Sequence, residues 1–421
     1  MNTNIKDPII FFFPYYKVSG VPVLFLRFAK ALSDMGRNIF IVDFEDGYMH
    51  KKLKDNKNIN FIIYQKKSTV SFPRNSTIIF QSILPETLPK NLLFDSSHKI
   101  IFWTLYQANF IQTIIPIDRI KNFQYSKPSF FKFFSKTFFK SHTNRLIDMI
   151  NKMHSKDALF FMSQDTFDFT YRFLDLNFSN PKLMPVCINP INKHVGFHRE
   201  AIKNKINILW VGRLDDFKIH ILNYFINSLN QSKYLKSHKL HFTIIGDGAH
   251  LFKEPINQNR NLTIEHLKKV DHDQLKNFIK NSDMFAGMGT SALEAARYGI
   301  PTICLDFYYK KIEFHYPLQW IYKKNKFDLG SLIQPEVFKK NTNNQLDSRL
   351  FEIIEDRKAI SEKTINYFYK NHSLNNFIST FENAVNNSSF YYTDFDKKIF
   401  QESVFRKIYK QLQSLFVEDT W

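Results

Sequence analysis

The stretch at residues 285–301, FAGMGTSALEAARYGIP, constrains the fold more than any other part of the chain. Small residues at Gly287, Gly289, Thr290 and Ser291 open it, Glu294 follows, and Gly299 with Pro301 closes it. That order predicts a strand end, a tight loop, a short helix and a helix stop. Glycine lets backbone come close to a ligand, while Thr290 and Ser291 stand where a new helix leaves its first N–H groups unpaired. Such an end attracts anions, phosphate above all. Glu294, about one turn in, can reach back to hydroxyls of the same ligand. Phosphate donors beside a hydroxyl-binding carboxylate suit a nucleotide sugar. An ordinary βα turn with a buried glutamate fits the same pattern, so this stretch alone leaves both readings open.

Strand, loop and helix units recur on its N-terminal side. INILWVGRL at 206–214 predicts a strand ending at Gly212 and Arg213, with Lys218 entering a helix that runs to about 230. LHFTIIGDG at 240–248 predicts another strand with a Gly246-Asp247-Gly248 turn, and NLTIEH at 261–266 a third before the helix DHDQLKNFIKNS. PTICLDF at 301–307 follows, and the βαβαβαβ order implies a doubly wound parallel sheet. The first half repeats the scheme: IIFFF at 9–13, then a loop with Ser19 and Gly20, then a helix halting near Gly36. Further strands are expected at 38–43, 60–64, 77–81, 99–104 and 158–163. This gives an α/β chain with a first domain at 1–195, a second at 205–386 joined by a polar linker, and a helical tail at 387–421 expected to pack on the first domain. In the tail, Ile399, Val404, Phe405, Ile408 and Leu412 recur at helical spacing.

The insertion at 117–156 carries Lys127, Lys132, Lys136 and Lys140 among Phe130, Phe131, Phe133, Phe134, Phe138 and Phe139. Wound as a helix after Pro128, it would put phenylalanines at a lipid interface and lysines near phosphates. The same rings could equally be core, with the lysines as a solvated face. The formal charge of +19 over 421 residues directs the chain towards acidic partners: headgroups, nucleic acid or phosphorylated substrates. Low-GC coding bias also favours lysine. No nucleic-acid-binding motif accompanies the charge, so an anionic membrane surface is the expected partner and nucleic acid is not. Cys187 and Cys304, each in an apolar run, read as reduced buried thiols, and no His and Cys cluster has the spacing of a zinc site. No window approaches the roughly 18 apolar residues of a membrane span, and the N-terminal apolar run is too short for a secretory signal. The expected location is cytoplasmic, with attachment to the inner face of the membrane left open.

VGRLDDFK, IIGDG, DQLKNFIKNSDMF and GTSALEAARYGIPTICLD, in that order over 205–310, resemble the GT-B glycosyltransferases, specifically the retaining, nucleotide-sugar-dependent family four. The resemblance implies two Rossmann-like domains facing a cleft, with donor on the second and acceptor on the first. It implies that Arg213 and Lys218 contact the donor diphosphate, that Glu294 accepts hydrogen bonds from the ribose, and that the main chain from Lys268 to Val270 lies against the base. Gly212, Gly246, Asp247, Met288, Gly289, Thr290 and Ser291 complete the expected donor site, with Ser19 and Gly20 from the first domain. Gln81, Thr104, Gln107 and Asn109, at strand ends of the first domain, are the expected acceptor contacts. The family pairs two glutamates with seven residues between them; here the first position is Ala286, so Asp306, a backbone N–H near Met288 or a different donor pose must serve the sugar. Lys268 stands where a glycine is usual.

The expected activity is therefore transfer of a sugar, from a UDP-sugar by preference, to a hydroxyl of a bacterial surface glycan or glycolipid such as lipopolysaccharide or capsule. Retention would proceed on one face, with the leaving phosphate taking the acceptor proton. No metal is expected, because Asp215-Asp216 is adjacent rather than spaced as Asp-x-Asp, and no cofactor besides the nucleotide sugar. A nucleotide-sugar epimerase of the same fold and a non-catalytic nucleotide-sugar-binding scaffold remain as alternatives.

Overall fold

The computed structural model describes residues 7–111, 114–115, 123–191, 202–248, 259–334 and 345–401. The chain divides into two compact units, Met1–Cys187 with Phe377–Trp421, and Ile188–Asn376.

In the first unit, apolar runs too short for helices become strands: β1 (Ile9–Phe12), β2 (Ile39–Asp43), β3 (Ile59–Ile63), β4 (Val70–Ser71), β5 (Thr77–Gln81), β6 (Leu92–Leu93), β7 (Lys99–Thr104) and β8 (Leu159–Phe161). β4 and β6 form a small sheet of their own, and the other six form one sheet in the order β3-β2-β1-β5-β7-β8, parallel throughout. Strand order reverses between β1 and β5, whose registers pair Ile9 with Ile39 on one side and with Thr77 on the other. Every residue of β1 is buried, as in a sheet covered on both faces. The helix Gly20–Asp34 follows β1 and stops at Gly36, whose φ of 77° favours glycine.

The boundary between units falls earlier than the sequence pattern indicates. Residues 377–386, expected in the second domain, belong to the first unit because their apolar side chains fill its core. Phe381, on the helix Leu374–Asn387, packs with ring centroids 4.7 Å from Phe28, 5.4 Å from Trp103 and 6.0 Å from Phe11. Beside it buried Arg37 Nη1 donates to the half-buried Glu382 Oε1 at 2.5 Å. Further on, Ile100 N–H donates to the Phe390 carbonyl and Tyr392 N–H to that of His98, each at 2.9 Å. The described part of the tail runs through two 3-10 turns, Tyr392–Asp394 and Lys397–Phe400, the second holding Ile399. Val404, Phe405, Ile408 and Leu412 lie outside the described residues. Within the insertion, helices span Phe123–Ser126, Pro128–Phe138 and Lys140–Ser155.

The second unit has β9 (Lys205–Val211), β10 (Lys239–Ile245), β11 (Leu262–Leu267), β12 (Met284–Gly287) and β13 (Thr302–Cys304), again all parallel, in the order β11-β10-β9-β12-β13. Its reversal lies between β9 and β12, and the helix Asp216–Asn230 packs Ile221, Leu222 and Phe225 against Ile208, Trp210 and Phe242 of the sheet. Beyond the strands the chain stays zipped: Gly212 N–H donates to Ile245 O and Leu214 N–H to Asp247 O, each at 3.0 Å. The two backbones approach so closely that a Cβ on Gly246 would lie 1.9 Å from the Gly212 carbonyl oxygen, and Gly246 also holds a φ of 154°. A Cβ on Gly212 would meet nothing nearer than 3.6 Å.

Two outcomes are expected in urea unfolding. Glu382→Leu, which leaves the buried Arg37 without its carboxylate, should cost about 3 to 5 kcal/mol. Gly246→Ala should cost more than about 2 kcal/mol through clash and strain, whereas Gly212→Ala should stay within about 1 kcal/mol of the parent.

Candidate functional site

In an open parallel sheet, ligands bind outside the carboxyl ends of the strands where strand order reverses. Four neighbouring strand ends of the second unit carry the residues singled out in its sequence. In spatial order these are Lys268 and Val270 after β11, Gly246 and Asp247 after β10, Gly212 and Arg213 after β9, and Met288, Gly289, Thr290 and Ser291 after β12. At about 4.8 Å between strands, this row spans roughly 15 Å, comparable with an extended nucleoside diphosphate.

The backbone zipper fixes how the cations project. Leu214 turns into the core at 1% exposure, and Arg213, one residue earlier, turns outward with 78% of its side chain exposed. Lys218, in the first turn of the helix Asp216–Asn230, is largely buried, its ammonium 5.3 Å from the Phe217 ring. Asp215 sits between them, with Oδ2 at 3.6 Å from Arg213 Nη2 and 3.9 Å from Lys218 Nζ. Both separations exceed hydrogen-bond length, so Asp215 gathers the two cations without neutralising them by direct contact. Burial pushes the Lys218 ammonium below its usual 10.5, Asp215 opposes that shift, and Arg213 adds to it. Asp215 escaped the sequence reading as a site residue, although its place at the helix start, three residues before Lys218, is a visible signal.

On the β12 side, the chain turns at Gly289, with φ 64°, into the seven-residue helix Thr290–Ala296. Gly289 N–H donates to Leu329 O at 2.7 Å, and Ser291 Oγ donates to Met288 O at 2.9 Å. So short a helix adds little dipole, and the positive charge of the site comes from Arg213 and Lys218. Glu294, on this helix, pairs with Arg297 Nη2 at 2.5 Å, a partner three residues on that the sequence reading also passed over. Ala286 is buried in the core, so nothing acidic stands at that position. Asp306 does not replace it: Oδ1 accepts from Lys324 Nζ at 2.5 Å and Ser331 N–H at 2.8 Å, and Oδ2 from Tyr316 OH at 2.7 Å. Val270 is half-buried and Lys268 exposed, while Asp247 accepts from Gly248 N–H at 2.8 Å. Among the described residues no three His, Cys, Asp or Glu side chains converge as a metal-binding group.

Ser19 and Gly20 belong to the first unit, after β1 at its strand-order reversal, with open space where a Gly20 Cβ would stand. The expected acceptor contacts fare differently. Thr104 is fully buried and its hydroxyl bonds that of Ser82 at 2.7 Å; Gln107 donates to Asp165; Asn109 Oδ1 accepts from Leu105 and Tyr106 N–H at 3.1 and 2.8 Å. These three hold loops together rather than face a ligand, and only Gln81 remains half-exposed at its strand end.

Residues 197–314 match the family model for glycosyl transferases group 1. No curated protein matches the chain in sequence. Among solved structures, similar ones include a glycosyltransferase from Rickettsia africae ESF-5, 15% identical over 94% of this chain and 100% of that one, with a TM-score of 0.52. WaaG, described as a glycosyltransferase involved in lipopolysaccharide biosynthesis, is 13% identical over 90% of this chain and 99% of its own, with a TM-score of 0.50. A structure described as trehalose-6-phosphate from E. coli bound with UDP-2-fluoro glucose is 11% identical over 90% and 99%, with a TM-score of 0.50. At these identities the likeness is one of fold. The fold is that of the GT-B glycosyltransferases, and residues 197–314 within it carry the match to glycosyl transferases group 1.

Proposed function

We propose that the protein transfers a sugar from a nucleoside diphosphate sugar, UDP-linked by preference, to a hydroxyl of a bacterial surface glycan or glycolipid. The observation that carries this is the pair of cations, Arg213 and Lys218, grouped at the carboxyl end of β9 beside the strand-order reversal. As the bond from C1 to the diphosphate breaks, the leaving group gains negative charge, which two preplaced cations offset. The acceptor oxygen bonds to C1 on the same face, its proton passing to a phosphate oxygen, so configuration is retained and no protein nucleophile or metal is called for. This is the chemistry of family four, and Glu294 would hold the ribose. The bound UDP-2-fluoro glucose of the E. coli structure supports the donor class, and WaaG's place in lipopolysaccharide biosynthesis supports the acceptor class.

The reading places the enzyme at the inner face of the cytoplasmic membrane. On the helix Pro128–Phe138 one face is core, with Phe131 buried, while Phe130, Phe133 and Phe138 are 45%, 65% and 53% exposed. Phe130, Phe134 and Phe138 form a row of rings 6.0 and 4.6 Å apart, and Lys127 and Lys140 flank it, both exposed. Lys132 and Lys136 also lie here, gathered by Asp175. Exposed rings beside lysines match an anionic bilayer surface, to which a headgroup layer offers phosphate and an apolar boundary together. Among the described residues no helix is long and apolar enough to cross a membrane.

The donor reading is tested by thermal shift with UDP, GDP, ADP and their sugars: saturation at about 100 times Kd should add about 2.7 kcal/mol of stability. Arg213→Ala should lower transfer roughly 100- to 1000-fold. An epimerase would instead turn over the nucleotide sugar with no acceptor present. Affinity for the diphosphate should fall as pH rises towards 10.5, because Lys218 loses its proton below that value. In the same window the ligand-free protein should gain stability, since the unfolded chain binds the extra proton, and Lys218→Met should abolish both effects. Failure of every nucleotide to bind would overturn the reading. The membrane reading is tested by sedimentation with vesicles of phosphatidylglycerol and phosphatidylcholine. Binding should need the anionic lipid, weaken with salt, and fall at least about tenfold when Phe130, Phe133 and Phe138 become serine.

A further inference from the structure

Trp210 is the penultimate residue of β9 and is 1% exposed, yet its indole Nε1–H finds no hydrogen-bond acceptor in the structure. Buried N–H groups are nearly always paired, and leaving one unpaired costs about 1 to 3 kcal/mol. The other large buried indoles are satisfied, Trp103 Nε1 donating to Met184 O at 2.9 Å and Trp320 Nε1 to Glu352 Oε2 at 2.5 Å. Trp210 is also set apart by its place. A Cβ on Gly212 would lie 3.6 Å from Trp210 Nε1 and 3.9 Å from Lys218 Nζ, with nothing closer. Indole and ammonium thus converge on the one face of Gly212 that glycine leaves open. Asp215 Oδ2, the nearest carboxylate to Lys218, is likewise buried without a hydrogen bond. Two unsatisfied polar atoms, Trp210 Nε1 and Asp215 Oδ2, therefore lie within residues 210–218, at the strand-order reversal.

We infer that Trp210 is a third donor to the nucleotide diphosphate: an oxygen seated against Gly212 accepts from the indole N–H and from Lys218 together. This rests on the donor reading above and extends it to a residue otherwise packed as core. The indole supplies a neutral donor on a rigid ring, so it fixes where the oxygen sits at little entropic cost, while Lys218 supplies the charge. Gly212 is then needed for ligand approach and not for folding, because a methyl group fits there in the unliganded protein but occupies the oxygen's place.

The test uses the 15N-labelled full chain and its tryptophan indole resonances, that of Trp210 assigned through bonds and checked with Trp210→Phe. UDP and inorganic pyrophosphate are titrated in turn. The expected result is a downfield shift of the Trp210 indole proton with both, those of Trp103 and Trp320 staying in place. Trp210→Phe and Gly212→Ala should each weaken UDP binding roughly tenfold or more with melting temperature nearly unchanged. The wild-type titration decides the matter even if Trp210→Phe fails to fold. If UDP raises the melting temperature while the Trp210 resonance stays still, the indole is not a ligand contact and the donor reading survives without it. If neither UDP nor pyrophosphate binds, the donor reading falls and this inference with it.

Discussion

The close approach of two backbones at the ends of β9 and β10 is the constraint on which the candidate site depends. Only glycine at 246 permits it, since any side chain would overlap the Gly212 carbonyl. Through that contact the hydrogen bonds from Gly212 and Leu214 continue past the strands, and the alternation they impose sends Leu214 inward and Arg213 outward. The turn then starts the helix that carries Lys218. Cations come to rest at the edge of the sheet because the main chain has nowhere else to put them, and the apolar core beneath them is what holds the main chain.

Much of this was legible in the sequence because its signals are local. Glycines bracketing short apolar runs announced the strand, loop and helix units, and the GRL and GDG turns marked two strand ends that prove to be neighbours. What pairing adds could not be read locally. Asn109 and Thr104 look alike in sequence whether they cap a loop or face a ligand, and only the fold shows Asn109 holding two N–H groups and Thr104 meeting Ser82. Asp306 looked available and is consumed by three donors, two of them more than ten residues away in the chain. Trp210 reads as one more apolar residue in INILWV, and nothing short of the packed structure shows its N–H without an acceptor.

The aromatic insertion shows the same division between pattern and placement. Its sequence offered phenylalanines as either core or contact surface, and the helix Pro128–Phe138 uses them for both. Phe131 faces inward, and Phe130, Phe133 and Phe138 face outward. Helical geometry makes this division unavoidable, since adjacent rings cannot share a face.

The first unit takes its final core residues from beyond the second, with Phe381 among Phe28, Trp103 and Phe11, and Phe390 and Tyr392 joined to β7. During synthesis the interior of the first unit must therefore stay open until the segment carrying Phe381, Phe390 and Tyr392 has been added. The other unit is one contiguous stretch, Ile188 to Asn376, and so needs no such later segment to close.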